Sequence, residues 1–291
     1  MTPALGVIGA GRVGGALARL LAARGWPVVA VVSRSAEAAR ALAGAVGAEV
    51  VPDAPSVLAR AELTLLTVPD DAIEGVAGRL AEQAVPGRAI AHTSGVNGAE
   101  TLAPLAERGM RTGSLHPAFP FAGGETPDLA GVFFAVEAED LDLRRTLLEL
   151  VAALGGRPLV IPAGGKAQYH AALAIASNFA VTLYAEAERL LTGLGIPREA
   201  ADGALNGLLA GTVENLRQRG IPEALTGPLS RADAGTVRRH LRALDEADPE
   251  LAALYVRLAR RTLPLVRARG IDSEPLVRLL NEENADAPDR A

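Results

Sequence analysis

The chain has 291 residues, which corresponds to about two domains of ordinary size. Its composition, 49% hydrophobic and 22% charged, is typical of a folded globular protein and excludes a disordered chain. A net charge of −5 without a basic block argues against nucleic acid as a partner, and the lack of cysteine excludes disulfides, thiolate metal sites and cysteine nucleophiles.

The first residues of the chain carry no basic residue before Arg12 and only a short apolar run, so we expect no signal peptide. The most hydrophobic later stretch, residues 171–183, is too short for the roughly 20 apolar residues of a membrane span, and we interpret it as a buried helix. A chain without cysteine also suits a reducing compartment. We therefore expect a cytoplasmic protein that does not enter membranes.

From residue 4 onward, short β-branched runs alternate with alanine-rich amphipathic segments. The predicted strands cover residues 5–8, 28–32, 49–51, 63–68, 89–92, 112–116, 132–136 and 158–161. The predicted helices between them cover residues 13–24, 36–43, 71–83, 99–108 and 141–154. Such alternation is typical of parallel β-α-β units. It predicts an α/β fold with a doubly wound (Rossmann) parallel sheet that has helices on both faces.

The alternation of strand-like and helical segments stops after the Pro-Ala-Gly-Gly segment at residues 162–165, and no strand-like run follows. The predicted helices of this second half cover residues 166–192, 198–219, 234–246, 250–267 and 274–281, and the acidic last ten residues are expected to be frayed. We therefore predict a Rossmann domain over residues 1–162 and an all-α substrate and dimerisation domain over residues 163–291.

A glycine-rich turn follows the first predicted strand and opens the first predicted helix. Its sequence, Gly9-Ala10-Gly11-Arg12-Val13-Gly14, fits the G-x-G-x-x-G pattern. In that pattern the first glycine permits a tight turn, the second lets the backbone approach a pyrophosphate and the third lets helix and strand pack. The position between strand and helix favours a dinucleotide site over a plain tight turn.

The end of the second predicted strand indicates which dinucleotide would bind. An NAD enzyme places a carboxylate there for the ribose diol, whereas this chain has Ser33-Arg34-Ser35. A cation between two hydroxyls suits a 2′-phosphate, so NADP is favoured. Either serine could also simply cap the next helix, and the two roles are compatible.

Two further strand ends belong to the same edge of the predicted sheet, where ligands of open parallel sheets bind. Val68-Pro69-Asp70 follows one strand, and Thr93-Ser94 follows the next. Asp70 could alternatively serve only as a helix cap. The predicted cofactor-binding residues are therefore Gly9, Gly11, Arg12, Val13, Gly14, Ser33, Arg34, Ser35, Val68, Pro69, Thr93 and Ser94.

Lys166 is the only lysine among 29 basic residues. A lysine amine can be tuned by burial to exchange a proton near neutral pH, which arginine cannot do, although a chance surface lysine is the plain alternative. His170 lies four residues later, on the same helical face and about 6 Å away, with Tyr169 on the adjacent row. Asn178 lies about 18 Å further along the axis, too far to share a small site unless the helix bends.

His116 begins a proline-stiffened loop, His116-Pro117-Ala118-Phe119-Pro120-Phe121, that we expect to form one wall of the site. A structural role is the equal alternative for this histidine. The later loop at residues 225–233 contains Asp233, expected to cap the next helix, and Arg231, a weaker candidate for contact with an anionic substrate. No compact set of ligands predicts a metal site, and no G-x-S-x-G motif predicts a serine triad.

Taken together, these motifs resemble those of Rossmann-like proteins with a helical C-terminal domain of unknown function. The motifs that carry the resemblance are the glycine turn, V-P-D at 68–70, H-P-x-x-P-F at 116–121, K-x-x-Y-H at 166–170, S-N at 177–178 and L-T-G-P at 225–228. The family falls in the 6-phosphogluconate dehydrogenase-like group, with pyrroline-5-carboxylate reductases, ketopantoate reductases, β-hydroxyacid dehydrogenases and deazaflavin-linked NADP reductases. The resemblance implies an NADP oxidoreductase, commonly a homodimer through its helical domain.

Two positions depart from the patterns of the group. The residue four beyond the catalytic lysine of β-hydroxyacid dehydrogenases and ketopantoate reductases is asparagine, but here it is His170. The family's last loop ends in Arg-Gly-Asp, whereas this chain has Arg231-Ala232-Asp233, and the added methyl group is expected to affect the turn.

The hypothesis from sequence is a reductase that transfers a hydride between NADPH and a small carbonyl or imine. Lys166 would donate the proton, His170 would orient it or relay to it, and His116 would line the opposite side. Two alternatives remain open at this point. One is a non-catalytic NADP-binding sensor or scaffold, and the other is hydride exchange between NADP and a deazaflavin, which the low aromatic content of 3% disfavours.

Overall fold

The computed structural model describes residues 2–121 and 126–285. The chain divides into two compact units, Met1–Asn178 and Phe179–Ala291. The first unit therefore extends beyond the predicted Rossmann domain and includes the helix that carries Lys166. The boundary that we placed between residues 162 and 163 stays a prediction about where the two domains meet.

The first unit contains an eight-stranded sheet in the order β3-β2-β1-β4-β5-β6-β7-β8. The strands are β1 (Leu5–Ile8), β2 (Val28–Val32), β3 (Glu49–Val50), β4 (Leu63–Leu66), β5 (Ala89–His92), β6 (Arg111–Pro117), β7 (Phe133–Ala138) and β8 (Arg157–Val160). Strands β1 to β6 are parallel, and β1 pairs with both β2 and β4. The chain therefore reverses direction across the sheet next to β1, which is where doubly wound folds bind ligands.

The predicted parallel arrangement is wrong for the last two strands. β7 pairs antiparallel with β6, and β8 runs parallel to β7. A parallel neighbour needs a crossover connection, usually a helix. Within the described part of residues 118–132 no helix occurs, so the chain can only turn back and pair in the opposite direction.

Helices cover both faces of this sheet, as predicted. They are α1 (Arg12–Ala23), α2 (Ala36–Val46), α3 (Ala54–Arg60), α4 (Ile73–Leu80), α5 (Ala103–Ala106) and α6 (Leu141–Ala153). One core lies under α1, α2 and α6 and includes Leu17, Leu42 and Leu147, and the other lies under α3, α4 and α5. The sequence did not predict α3, which begins with Asp53 as its cap and has Pro55 in its first turn.

The predicted helix over residues 166–192 is two helices, α7 (Lys166–Ala176) and α8 (Asn178–Gly193). The break lies at Ser177, where φ is −114° and ψ is −68°. Serine and asparagine side chains compete with the backbone for its own hydrogen bonds, which favours a break at a Ser-Asn pair. The expectation of a buried helix is also wrong for the single chain, because Ile175 is 63% and Val181 is 69% exposed.

The second unit is helical throughout its elements. Besides most of α8 it contains α9 (Arg198–Arg219), α10 (Ala234–Ala247), α11 (Pro249–Ala268) and α12 (Glu274–Ala285). Val237, Leu241, Leu263 and Leu280 belong to the core that α10, α11 and α12 share. α12 continues past the predicted helix end into the segment expected to be frayed, and the rest of that segment lies outside the described residues. None of the described helices is long and apolar enough to cross a bilayer.

Candidate functional site

The glycine turn has two glycines that protein packing requires and one that it does not. A Cβ atom on Gly9, whose φ is +106°, would lie 2.6 Å from the Thr67 carbonyl oxygen, and one on Gly14 would collide with Thr67 Oγ1 and the Gly9 carbonyl. At Gly11 a Cβ atom would meet nothing within 4 Å, and its backbone angles suit any residue. Space for a ligand explains this glycine better than the fold does.

The same turn leaves the start of α1 open. Gly11 is the N-cap and offers no side chain to the first amides of the helix, and no acidic residue lies in the first turn. Free amides and the positive end of the helix dipole together favour an anion at this place. The Arg12 guanidinium lies to the side, where Nη1 donates to the Phe121 carbonyl at 3.1 Å.

A large cavity follows the carboxyl ends of the parallel strands, with a volume of about 1250 Å³. It runs past the glycine turn and is lined by residues after β1, β2, β4, β5 and β6. Ordinary small-ligand sites measure roughly 300–1,000 Å³, so this one is large enough for an extended ligand with a second molecule beside it.

Most of the predicted cofactor residues line this cavity. They are Gly9, Gly11, Arg12, Val13, Ser33, Arg34, Val68, Pro69 and Thr93. Three do not. Gly14 packs behind the turn, Ser35 Oγ accepts from the Ala38 amide at 3.2 Å and caps α2, and Ser94 lies one residue from the lining. The capping role that we considered for a serine is therefore confirmed for Ser35.

The cavity also has lining residues that sequence patterns did not single out. Arg79 of α4 lines it together with Arg34, and both side chains are exposed. Ala54 and Pro55, at the start of the unpredicted helix α3, line it as well. The signal for Arg79 is weak in sequence, since it is one arginine among many on an amphipathic helix. Its relevance follows only from the packing of α4 beside β4.

Lys166 is nearly fully buried, with 2% of its surface exposed. Its ammonium group donates to the Ser94 carbonyl at 2.8 Å and lies 5.7 Å from the centre of the Tyr169 ring. Burial lowers the pKa of Lys166 to about 8, and the carboxylates of Glu137 and Asp70 offset this in part. The amine therefore lies behind the cavity wall, one residue from the lining residues Thr93 and Gly95.

The loop that receives this ammonium is held by buried groups. The Ser94 amide donates to His92 Nδ1 at 3.2 Å, so the ring proton is on Nε2, which lies 2.9 Å from the Gly98 carbonyl. Burial lowers the pKa of His92 to about 4. Glu137 Oε2 accepts from the Ala99 amide at 3.1 Å, and burial raises the pKa of this carboxyl group. The position of the Ser94 carbonyl is thus set by the loop and not by solvent.

His116 and two residues of α7 meet on the cavity wall. His116 Nδ1 lies 3.0 Å from the Tyr169 hydroxyl, and the His116 and His170 ring centres are 6.0 Å apart. Both histidines line the cavity, and so does Asn178, which directly follows the break at Ser177. Gly95 faces both rings, because a Cβ atom there would collide with His170 and lie 2.8 Å from His116 Nε2. His116 is thus beside His170 and not opposite it.

In the loop at residues 225–233, Ala232 adopts a backbone conformation that favours glycine. Ala232 has φ = +55° in the left-handed region, the single non-glycine residue with positive φ in the described chain. Asp233 caps α10, as predicted, with Oδ1 accepting from the Thr236 amide at 3.0 Å. Among residues 2–121 and 126–285 there is no cluster of three or more metal-ligating side chains.

Both halves of the chain match known domain models, and the whole chain is similar to solved structures. Residues 2–117 match the model of a Rossmann-like domain, and residues 132–262 match that of a domain of unknown function, DUF2520. A Bacteroides fragilis protein named as a candidate NADP oxidoreductase is 26% identical and has a TM-score of 0.68, over 89% of this chain and 97% of that one. Among curated proteins, none matches the chain.

Two further solved structures share the fold. A Thermotoga maritima protein, TM1727, is 25% identical with a TM-score of 0.75, over 91% of this chain and 99% of that one. A reductive aminase from Aspergillus terreus, solved with NADPH and ethyl-5-oxohexanoate, is 18% identical with a TM-score of 0.61, over 99% of this chain and 95% of that one. The resemblance stated from the sequence motifs is confirmed at the level of the domains. In its two matched segments the chain is therefore similar to a Rossmann-like domain followed by a DUF2520 domain.

Proposed function

We propose that this protein is an NADP-dependent oxidoreductase that transfers a hydride between NADPH and a small carbonyl or imine. The observation that carries the proposal is Gly11, a glycine that the fold does not require, at an uncapped helix start on the rim of a large cavity. A pyrophosphate needs such an approach to the backbone. The names of the similar structures, an NADP oxidoreductase and a reductive aminase with NADPH, agree with it.

The residues present fit NADP along the whole cavity. The turn at residues 9–14 would hold the pyrophosphate, and Arg34 with Ser33 would hold the 2′-phosphate at the end of β2, where this chain has Ser33-Arg34-Ser35 instead of the carboxylate of an NAD site. When bound, the dinucleotide supplies a hydride to an electrophilic carbon. The strand ends that bear Thr93 and His116 would border the reacting end of the site.

Lys166 is the proposed proton donor. Its pKa of about 8 keeps the amine charged at neutral pH while making it a better acid than an exposed lysine. Its hydrogen bond to the Ser94 carbonyl fixes it one residue from Gly95, which faces both cavity-lining histidines. His170 and His116 would orient the substrate and connect the buried amine with the cavity.

The test separates binding from chemistry. Calorimetry with NADPH and NADH should give tighter binding of NADPH, and a panel of small ketones, aldehydes and cyclic imines should include a compound that supports NADPH oxidation. Lys166→Met and Lys166→Arg should both abolish that oxidation with NADPH binding retained, since neither side chain can release a proton near pH 8. Wild-type turnover in Lys166→Met would refute the proton donor. Tight NADPH binding without oxidation across the panel would favour a sensor or scaffold.

We also propose that the protein is a homodimer through its helical half. In the single chain α9 buries only Ala201, and Leu208 and Val213 are 69% and 56% exposed. Apolar helix surface of this kind is a cost in water unless another surface covers it. Leu208→Glu with Val213→Glu should convert a dimer to a monomer in light scattering. Leu141→Glu, at an equally exposed leucine of α6, should leave the mass unchanged. A wild-type monomer would refute the proposal.

A further inference from the structure

Which group donates the hydrogen bond between His116 and Tyr169 determines whether His116 presents a donor or an acceptor to a substrate in the cavity. His116 Nδ1 and the Tyr169 hydroxyl are 3.0 Å apart, and the two rings meet edge to face at 5.7 Å. His116 lies on β6 and lines the cavity, while Tyr169 lies on α7 and does not line it. The pair is half-buried, so its hydrogen bond is shielded from competition by bulk water.

The phenol and the imidazole differ in acidity and basicity, and this difference determines which of them donates. Burial lowers the pKa of His116 to about 3, with the Lys166 ammonium acting in the same direction, and raises the pKa of Tyr169 to about 12. The imidazole is therefore neutral and the phenol keeps its proton. A phenol O–H is a stronger acid than a neutral imidazole N–H, and an imidazole nitrogen is a much stronger base than a phenol oxygen, so the favoured hydrogen bond runs from the phenol to the ring. The phenol must donate to Nδ1, which leaves the ring proton on Nε2.

The other edge of the imidazole is free of protein partners within the described residues. Gly95 lies against it, and any side chain there would lie 2.8 Å or less from a histidine ring atom. No hydrogen bond from the protein reaches Nε2 in this part of the chain. His116 lines the cavity and is partly exposed, so a ligand or water in the cavity can accept from this N–H group.

We infer that Tyr169 is a positioning residue that holds His116 in the Nε2–H tautomer, and that this neutral donor selects substrates whose reacting double bond ends in an atom with a free lone pair. A carbonyl oxygen or an unprotonated imine nitrogen can accept from Nε2–H. A protonated or alkylated iminium nitrogen has no lone pair, and it would also be repelled by the buried Lys166 ammonium. The inference rests on the proposed function and narrows its substrate class.

The first experiment observes the tautomer and needs neither cofactor nor turnover. Long-range proton–nitrogen NMR spectra of the full-length chain with labelled histidine, assigned with His116→Asn, should show His116 Nδ1 unprotonated and Nε2 protonated. Tyr169→Phe should convert this single tautomer to a mixture. Tyr255→Phe is the matched control, because it removes the similar His240–Tyr255 contact of 3.1 Å in the other unit. A wild-type signal with Nδ1 protonated, or an unchanged tautomer in Tyr169→Phe, would overturn the inference.

The second experiment observes the selectivity in the complex with NADP+, in which no reduction can occur. Cyclohexanone should shift the His116 Nε2 signals, and the permanent cation 1,2-dimethyl-1-pyrrolinium should bind at least tenfold more weakly. Tyr169→Phe should weaken cyclohexanone binding about tenfold. His116→Gln, whose amide can replace the Nε2 donor, should retain more of the wild-type affinity for cyclohexanone than His116→Leu. No response to cyclohexanone, or equal binding of the cation, would contradict the inference. Failure to bind NADP+ would instead refute the proposed function and leave the tautomer measurement valid.

Discussion

Replacing Gly11 with alanine separates the demands of the fold from those of the ligand. The new methyl group would meet no atom within 4 Å, and the backbone at φ −78° and ψ −168° accepts alanine without strain. Because alanine loses less backbone freedom on folding than glycine, the free protein should become more stable by about 0.4–1 kcal/mol. The same methyl group would occupy the approach of the pyrophosphate, so NADPH affinity should fall at least tenfold, or about 1.4 kcal/mol.

Denaturant unfolding with and without NADPH measures both effects in one assay. At a concentration of about 100 times the wild-type dissociation constant, NADPH should stabilise the wild-type protein by about 2.7 kcal/mol and the Gly11→Ala variant by about 1.4 kcal/mol or less. Gly44→Ala is the matched control, an exposed glycine of α2 with equally open surroundings. It should gain stability and keep the full response to NADPH.

Gly14→Ala provides the opposite case. Its methyl group would collide with the Thr67 side chain and the Gly9 carbonyl, so the free protein should lose about 1–3 kcal/mol or more. Wild-type NADPH affinity in Gly11→Ala would refute the reasoning, since the open glycine would then have no role in binding. A loss of stability in Gly11→Ala would likewise show that the fold, and not a ligand, needs this residue.

Three further predictions concern charge and backbone. In calorimetry, Arg34→Ser should reduce NADPH affinity at least tenfold with little change in NADH affinity, because only NADPH has a 2′-phosphate that Arg34 could pair with. An equal loss of affinity for both dinucleotides would show that Arg34 does not bind the 2′-phosphate. Burial lowers the pKa of Lys166 from 10.5 to about 8, so the unfolded protein binds more protons than the folded protein between these pH values. The free energy of unfolding of the wild type should therefore rise relative to that of Lys166→Met from pH 8 to pH 10, by up to about 3 kcal/mol. A difference that stays constant over this pH range in denaturant unfolding would contradict the burial of the Lys166 charge. Ala232→Gly should stabilise the protein by about 1 kcal/mol in denaturant unfolding because it relieves φ = +55°, and no gain would mean that the turn holds alanine without strain.

The parts of the fold that depend on local patterns could be predicted from the sequence. The alternation that placed β1, β2, β4 and β5 reflects strands buried on both faces, and Asp233 was recognisable as a cap from its place before a helix. The direction of β7 could not be predicted, because it depends on the connection after residue 117 and not on the residues of the strand. The break at Ser177 was visible as a polar interruption, but its effect on the helix was not.

The candidate site shows the same division. The glycine turn and Arg34 follow a linear spacing, and both line the cavity. Contacts such as Lys166 with Ser94, or Tyr169 with His116, join residues 72 and 53 positions apart and depend on how α7 packs on the sheet. The sequence placed Lys166, Tyr169 and His170 near each other, but it could not show that the amine lies behind the wall while His170 lies on it.

The break after Ala176 has a consequence for how such a protein can change over time. The lining residues of the cavity, within residues 2–121 and 126–285, lie at or before Asn178, and the first compact unit ends at that same residue. The candidate site is thus encoded in one uninterrupted stretch of the gene, and the helices encoded downstream can accumulate substitutions without altering a described lining residue. A lineage could acquire new assembly partners in this way while its chemistry is inherited unchanged.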